Sequence, residues 1–270
     1  MKCACSSRGA VRIAILAAGW IVAGASSASP QAIGDFEAQG DVGDVKPPGT
    51  ARFDAARREY ALTGAGANMW EQRDAFHYLW RRASGDLTLS TAVHFAEKEG
   101  NEHRKAGWIV REGLESDAPY ADAIVHADGL VALQYRLAKG GPTLEIRSPF
   151  KAPAAVRLER TGDLFTLFAA GDDTRFQPVG SVLVPLKDPV YAGLGVCSHD
   201  SGRSATAVFS GVGFQNPGVV EAQKRVRESS LEVLSLASGQ REAVYVTRDH
   251  IVFHAARLVI RPPEAAPSSQ

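Results

Sequence analysis

The central part of the chain alternates apolar and polar residues. The clearest case is the segment 86–95, where every second side chain from Leu87 to Phe95 is apolar or a threonine. A period of two is typical of a strand with one buried face. Comparable short segments follow one another up to Phe214 at intervals of roughly ten residues, with turn-forming residues between them. None of them has a helical period, so the pattern predicts an all-β fold, an antiparallel β-sandwich.

The strands predicted in this way extend over most of the chain. Two apolar runs near the end, 190–196 and 205–214, flank a polar turn that contains Ser198, His199 and Asp200. The segment 50–62 is compatible with a short helix by composition and with a strand pair by alternation, and both remain open. The other predicted strands are 76–80, 86–95, 108–111, 120–126, 130–137, 143–147, 155–160, 164–169, 176–179 and 182–184.

Both ends of the chain differ from this central part. Basic residues precede an apolar run at 13–25, and small residues follow it, which is the order of a secretory signal peptide. We therefore predict a signal peptide over 1–28, with an uncleaved anchor helix as the alternative, and a sandwich domain over 33–216. Beyond it we predict a charged linker at 217–228, a β-hairpin segment at 229–261 and a disordered tail at 262–270.

The charge balance and the cysteine content limit which partners and which covalent cross-links the chain is expected to have. The 270 residues include 30 basic and 30 acidic side chains, so the net charge of zero gives no reason to expect nucleic acid as a partner. Once the signal peptide is removed, Cys197 is the one cysteine left, and no internal disulfide is expected. Its position at the end of an apolar strand predicts a small buried side chain. We predict a periplasmic or secreted protein that does not bind the membrane after cleavage.

Catalytic patterns are weak in this sequence. A glycoside hydrolase needs two carboxylates across the scissile bond, and the suitably spaced pair Glu97 and Glu99 lies in a charged loop. Ser198, His199 and Asp200 are adjacent in the chain. Neighbouring side chains of a strand point to opposite faces, so these three cannot form a relay. We therefore predict that the chain is not an enzyme and has no cofactor.

The sequence gives candidates for a calcium site but no pattern of a zinc site. The histidines are not spaced like zinc ligands. A structural calcium ion held by loop oxygens would suit a sandwich, and turn acids exposed to water are the alternative. The candidate calcium ligands are Asp128, Asp163, Asp172, Asp173 and Asp200.

A set of short motifs between residues 34 and 214 resembles an uncharacterised concanavalin A-like (laminin G-like) jelly-roll family. Members of this family stand ahead of TolB-like β-propellers in exported bacterial proteins. The segment 229–245 is similar to the first hairpin of such a propeller, but the chain ends before a full propeller. The resemblance implies a jelly roll with a truncated propeller-like segment. Its motifs are 69–70, 73–77, 84–86, 101–107, 120–122, 126–129, 134–136, 157–160, 162–163 and 193–200.

Polar and aromatic residues in or beside the predicted strands indicate a binding face. We predict an exported, non-catalytic module that binds a glycan or another cell-envelope ligand on its concave sheet. A protein-interaction or scaffolding domain of a TolB-like envelope protein and a glycoside hydrolase with an unrecognised site are the alternatives. The candidate ligand-binding residues are Trp70, Arg73, His77, His103, Arg111, His126, Gln134 and Arg136.

Overall fold

Two large antiparallel sheets form the molecule in a computed structural model, which describes residues 32–149, 151, 155–171 and 175–217 and the backbone of 231–234 and 241–244. The front sheet has the strand order β1-β6-β15-β8-β9-β10-β11 and the back sheet the order β14-β13-β12-β7-β16-β3-β2. The strands are β1 Ala38–Val42, β2 Thr50–Asp54, β3 Glu59–Gly66, β4 Met69–Trp70, β5 Arg73–Asp74, β6 Phe76–Ala83, β7 Leu87–Phe95, β8 Lys105–Arg111, β9 Tyr120–His126, β10 Val131–Arg136, β11 Leu144–Arg147, β12 Ala155–Thr161, β13 Leu164–Ala170, β14 Phe176–Leu183, β15 Val190–Cys197, β16 Asp200–Gln215, β17 Leu231–Leu234 and β18 Arg241–Val244.

The predicted concanavalin A-like sandwich is confirmed, and the described residues contain no helix. The ambiguous segment 50–62 forms the strand pair β2 and β3, because Asp54 accepts hydrogen bonds from the backbone N–H groups of Ala56 and Arg57 and closes a turn there. The two runs predicted at 176–179 and 182–184 are one strand, β14, which pairs with β13 through a register shift.

The hydrophobic core lies between the two sheets. Every second side chain of a strand points inward, and the core therefore collects alternate residues from both sheets. Leu79 and Trp108 of the front sheet and Leu158 and Phe209 of the back sheet are fully buried there. The same alternation sends the other half of the front-sheet side chains to its outer face, where ligands of a jelly roll would be expected.

The outer face of the front sheet is itself partly covered. A second cluster of buried apolar residues lies on it, and this cluster includes Phe76, Tyr78 and Ile124 of the sheet together with Met69. Met69 belongs to the short hairpin that β4 and β5 form. We call the segment 67–75 the covering hairpin. Because of it, only part of this face is available to a ligand.

The two ends of the chain contribute little to this description. Strands β17 and β18 pair with each other in an antiparallel ladder, inside the segment predicted as a hairpin. The predicted signal peptide and the predicted C-terminal tail lie outside the described residues, and the domain boundaries stay predictions. None of the residues that the structure describes belongs to a helix long and apolar enough to cross a membrane.

Candidate functional site

An acidic side chain fastens the covering hairpin to the front sheet. Asp74 at the end of the hairpin accepts hydrogen bonds from Arg111 Nη1 at 3.0 Å and from both terminal nitrogens of Arg136 at 2.8 Å. All three side chains are almost completely buried. Arg136 also donates to the carbonyl oxygen of Glu71 in the hairpin turn. Removing one partner of such a buried ion pair strongly destabilises the folded protein, because the other charge is left buried and unpaired.

The same arginines hold the loops beside the hairpin. Arg111 donates to the carbonyl oxygens of Gly113 and Glu115, and Arg136 donates to those of Ala118 and Gly141. Their hydrogen-bonding capacity is thus used inside the protein. Arg111 and Arg136 were predicted to contact ligand. Their positions instead assign them to holding the covering hairpin, since neither guanidinium faces solvent.

A lysine and a tryptophan meet at the end of the front sheet where β8 begins. The side chain of Lys105 is 3% exposed, and its ammonium donates to the carbonyl oxygen of Met69 at 3.0 Å and to Gln134 Oε1 at 3.4 Å. The ring of Trp70, which is half-buried, lies 5.2 Å from the ammonium. This distance is in the range of a cation–π contact. The hairpin therefore places an aromatic ring over a buried positive charge.

Strand register brings two further polar residues to the same face. Lys105 pairs directly with His126, and Asp122 pairs with Gln134, so the side chains of all four project outward from the front sheet. His126 is 7% exposed, and neither of its ring nitrogens has a hydrogen-bond partner in the protein. Asp122 accepts a hydrogen bond from the Gln134 backbone through Oδ1, while its Oδ2 has no partner. We call Trp70, Lys105, Asp122, His126 and Gln134 the Lys105–His126 site.

Burial sets the protonation of this site. It lowers the pKa of His126 to about 4, with the nearby Lys105 charge acting in the same direction, so the imidazole is neutral at pH 7. Burial raises the pKa of Asp122 well above its ordinary value, which favours the protonated carboxyl. Burial also lowers the pKa of Lys105, against the opposing influence of Asp122. The site thus combines a neutral imidazole, a carboxyl group, an amide and an ammonium.

Two more histidines extend this site toward solvent. The ring of His103, an exposed residue, lies 6.5 Å from that of His126 and 5.7 Å from that of His199. A cleft of about 360 Å³ is lined by Asn101 and by Ser198, the chain neighbour of His199, and no residue of the Lys105–His126 site is among the residues that line it. The other residues that line it are Glu97, Lys98, Glu99, Gly100, Arg104, Asp200, Arg203, Ser204 and Ala205.

Two of the predicted ligand-binding residues lie elsewhere. His77 points away from the outer face of the front sheet, and it is 1% exposed. Its ring nitrogens contact Asp41 Oδ1 at 2.7 Å and Gln39 Oε1 at 3.0 Å, so this imidazole already has partners on β1. Arg73 is exposed on β5, at the outside of the covering hairpin. Of the eight predicted residues, the structure brings together Trp70, His103, His126 and Gln134.

The turn between β15 and β16 has a structural role. Ser198 Oγ donates to the Asp200 carbonyl oxygen at 2.7 Å, and Asp200 Oδ1 accepts from the Gly202 backbone at 2.8 Å. These short-range bonds are those of a turn. Cys197 is buried, which raises the pKa of its thiol to about 11, and a thiol in this state is a poor nucleophile.

Metal ligands do not converge in the part of the chain that the structure describes, since no group of three or more His, Cys, Asp or Glu side chains could hold an ion there. Asp128 accepts a hydrogen bond from the Leu130 backbone, as expected for a turn acid. Asp172 and Asp173, two of the candidate calcium ligands, lie outside the described residues.

Sequence reasoning missed Lys105 and Asp122 as site residues. A signal for Lys105 was present, because alternation from Arg111 back through Ile109 places Lys105 on the outer face of β8. A charged residue in a strand with every position buried is unusual and indicates a specific role. The same argument applies to Asp122 on β9, whose positions are also all buried.

Comparison with known proteins gives matches in structure alone. No family model and no curated protein matches the chain. A functionally unknown protein from Saccharomyces cerevisiae is similar at 17% identity and a TM-score of 0.49, covering 63% of this chain and 92% of its own. A β-1,3-1,4-glucanase from a mouse hindgut metagenome (10% identity, TM-score 0.41, 59% and 80% covered) and a Lotus tetragonolobus seed lectin (8%, 0.34, 69% and 97%) are also similar.

The comparison corrects one prediction. The chain was expected not to be an enzyme, but a glucanase and family 7 alginate lyases are among the solved structures to which it is similar. The exclusion of enzymes therefore does not hold, and an enzyme is among the functions open to this chain. The TolB-like context of the resembled family stays a prediction.

Proposed function

We propose that this protein is exported to the periplasm or beyond and binds a glycan at the Lys105–His126 site. The observation that carries the proposal is the set of unpartnered polar atoms there, both ring nitrogens of His126 and Oδ2 of Asp122. Leaving a buried polar atom without a partner costs about 1–3 kcal/mol. Such atoms therefore call for a ligand or ordered water that hydrogen-bonds them.

A polyhydroxylated ligand suits the chemistry of these groups. A neutral imidazole offers one hydrogen-bond donor and one acceptor. Sugar hydroxyl groups can accept a hydrogen bond from the first and donate one to the second. Gln134 and Asp122 add polar groups in fixed positions, while the half-buried ring of Trp70 offers an apolar surface for the face of a sugar ring.

The proposal predicts that removing the His126 imidazole weakens glycan binding. In calorimetry with a saccharide selected on a glycan array, His126→Ala should lose about tenfold in affinity, as expected for a buried hydrogen bond. The matched control is His94→Ala, because His94 is exposed on β7 of the back sheet. Trp70→Ala, a change in the half-buried hairpin ring, should weaken binding too and covers the case that His126→Ala does not fold.

Two results would contradict the proposal. One is the absence of binding to every neutral and acidic saccharide of a broad array. The other is a saccharide that binds the folded His126→Ala and Trp70→Ala variants as tightly as the wild type, since the ligand would then occupy another surface.

A further inference from the structure

The Lys105 ammonium is buried without a counter-ion. Within the described residues, no carboxylate oxygen lies within 4.0 Å of its Nζ, which contacts only neutral oxygens of Met69 and Gln134. An ammonium has three N–H donors, and these two contacts leave one of them unused. Buried charges in proteins are as a rule paired or bound to ligand, because an unpaired charge loses its hydration without compensation.

The acidic side chains around Lys105 are already engaged. Asp74 is shared by Arg111 and Arg136. Glu145, on β11 opposite Gln134, forms an ion pair with Arg147 and accepts a hydrogen bond from Gln134 Nε2. The third acid near the ammonium is Asp122, whose Oδ1 accepts a hydrogen bond from the Gln134 backbone. None of the three neutralises Lys105 by a direct contact.

Three histidine rings lie at the solvent end of the site, where Glu102 Oε1 is 3.7 Å from His103 Nε2. The Asp128 and Glu145 charges act on His126 and oppose the lowering of its pKa. His126 is the direct strand neighbour of Lys105, and the rings of His103 and His199 follow outward from it. A negative group that entered past these rings would meet the free donor of the ammonium and the imidazole nitrogens of His126. The ring of Trp70 on the other side would restrict its water contacts.

From this geometry we propose that the ligand is an acidic saccharide, whose carboxylate pairs with the Lys105 ammonium. The inference rests on the proposed glycan binding and adds the charge of the ligand to it. Lys105 is then the residue that selects uronate-bearing glycans over neutral ones, while Trp70, His126 and Gln134 hold the sugar itself.

Matched saccharides test the charge separately from glycan binding. Oligosaccharides of galacturonate, mannuronate and glucuronate are each compared with their carboxyl-reduced counterparts by calorimetry. At least one acidic form should bind more than about tenfold tighter than its reduced form, in keeping with the cost of leaving a buried charge unpaired. The preference should change little as salt is raised, because a buried ion pair is screened much less than an exposed one.

Lys105→Met should abolish this preference, because it keeps the apolar stem and removes the charge. It should lower affinity for the acidic form by more than for the reduced form, so that the ratio of the two affinities approaches one. Lys187→Met is the matched control, since the Lys187 side chain is 87% exposed. The comparison of acidic and carboxyl-reduced saccharides in the wild type remains an independent test if Lys105→Met does not fold.

The outcomes separate the two proposals. Equal binding of every acidic and reduced pair by the wild type would overturn the acidic ligand and leave glycan binding in place. An unchanged preference for the acidic form in folded Lys105→Met would overturn the proposed pairing of the ligand carboxylate with Lys105. If no saccharide of either kind binds, glycan binding and its acidic ligand both fall.

Discussion

At the scale of single residues, the protein is distinguished by polar side chains buried on the outer face of its front sheet. They fall into two groups. Asp74, Arg111 and Arg136 satisfy one another and the nearby carbonyl groups, and their role is structural. His126 and Asp122 retain atoms without partners, and Lys105 lacks a counter-ion within contact, in the described residues. The second group is therefore the one expected to act on a ligand.

The low pKa of His126 predicts a pH-dependent stability. Its folded pKa of about 4 lies below the unfolded value of 6.5, so the folded state disfavours the proton. The contribution of neutral His126 to the free energy of unfolding is fully present above pH 6.5. It is lost as the pH falls from 6.5 toward 4, because the unfolded state then binds a proton that the folded state does not. By pH 4.5 the loss from this residue should be about 2 kcal/mol.

Urea unfolding at pH 7 and pH 4.5 measures this effect. His126→Leu should show a smaller drop in the free energy of unfolding between the two pH values than the wild type, by about 2 kcal/mol. His94→Leu, which changes an exposed histidine, should keep the wild-type drop. An identical drop in His126→Leu and wild type would show that His126 is not held neutral by burial.

At the scale of elements, the covering hairpin depends on how the chain leaves β3. Gly66 has a φ of +122°, and a Cβ there would lie 1.9 Å from the carbonyl oxygen of Ala75. The carbonyl oxygen of Gly66 accepts a hydrogen bond from Cys197 Sγ, so its backbone is fixed on two sides. Only glycine allows this combination of backbone angle and close approach. The hairpin therefore starts from a position that no other residue can occupy without displacing backbone.

Gly66→Ala should for this reason destabilise the protein by roughly 3 kcal/mol, combining an unfavourable φ with overpacking. The matched control is Gly140→Ala. Gly140 also has a positive φ, of +69°, but has nothing within 4 Å of the added methyl group. Its change should cost about 1 kcal/mol. Chemical unfolding compares the two, and equal costs would show that the approach of Ala75 is not limiting.

At the scale of the whole molecule, residues of the proposed binding site lie at one end of the sandwich. β8 begins at Lys105, β9 ends at His126 and β15 ends at Cys197, and antiparallel pairing places these three termini at the same end. The cleft lined by Asn101, Arg104 and Ser198 is formed by the loops next to these termini. The core between the sheets supports this end of the sandwich rigidly. Its buried residues, within the described part of the chain, lie between Phe36 and Phe209.

This distribution predicts that the sandwich folds without the C-terminal segment. A mature chain that ends at residue 217 should unfold cooperatively, with a thermal midpoint within about 2 °C of the full mature chain. The physical reason is the large core that residues between Phe36 and Phe209 already bury between the two sheets. Calorimetry of both chains checks it, and a much lower midpoint for the shorter chain would mean that the segment 229–261 packs on the sandwich.

The fold could be predicted from the sequence because the alternation of apolar and polar residues along a strand is a local property. Leu87 to Phe95 alternates in sequence and forms β7, and the same reasoning located the other main strands of both sheets. The binding face was readable in part. The structure places Trp70, His103, His126 and Gln134 near one another, and their role in ligand binding stays a prediction.

Tertiary structure alone decided what each polar residue contacts. Asp74 meets Arg111 and Arg136 across separations of 37 and 62 residues, and no local pattern links them. Alternation assigns a side chain to one of two faces, but it does not say which face a distant hairpin covers or which charges meet there. Sequence by itself therefore determined the sandwich, while the packing of the covering hairpin separated the paired arginines from the unpaired Lys105.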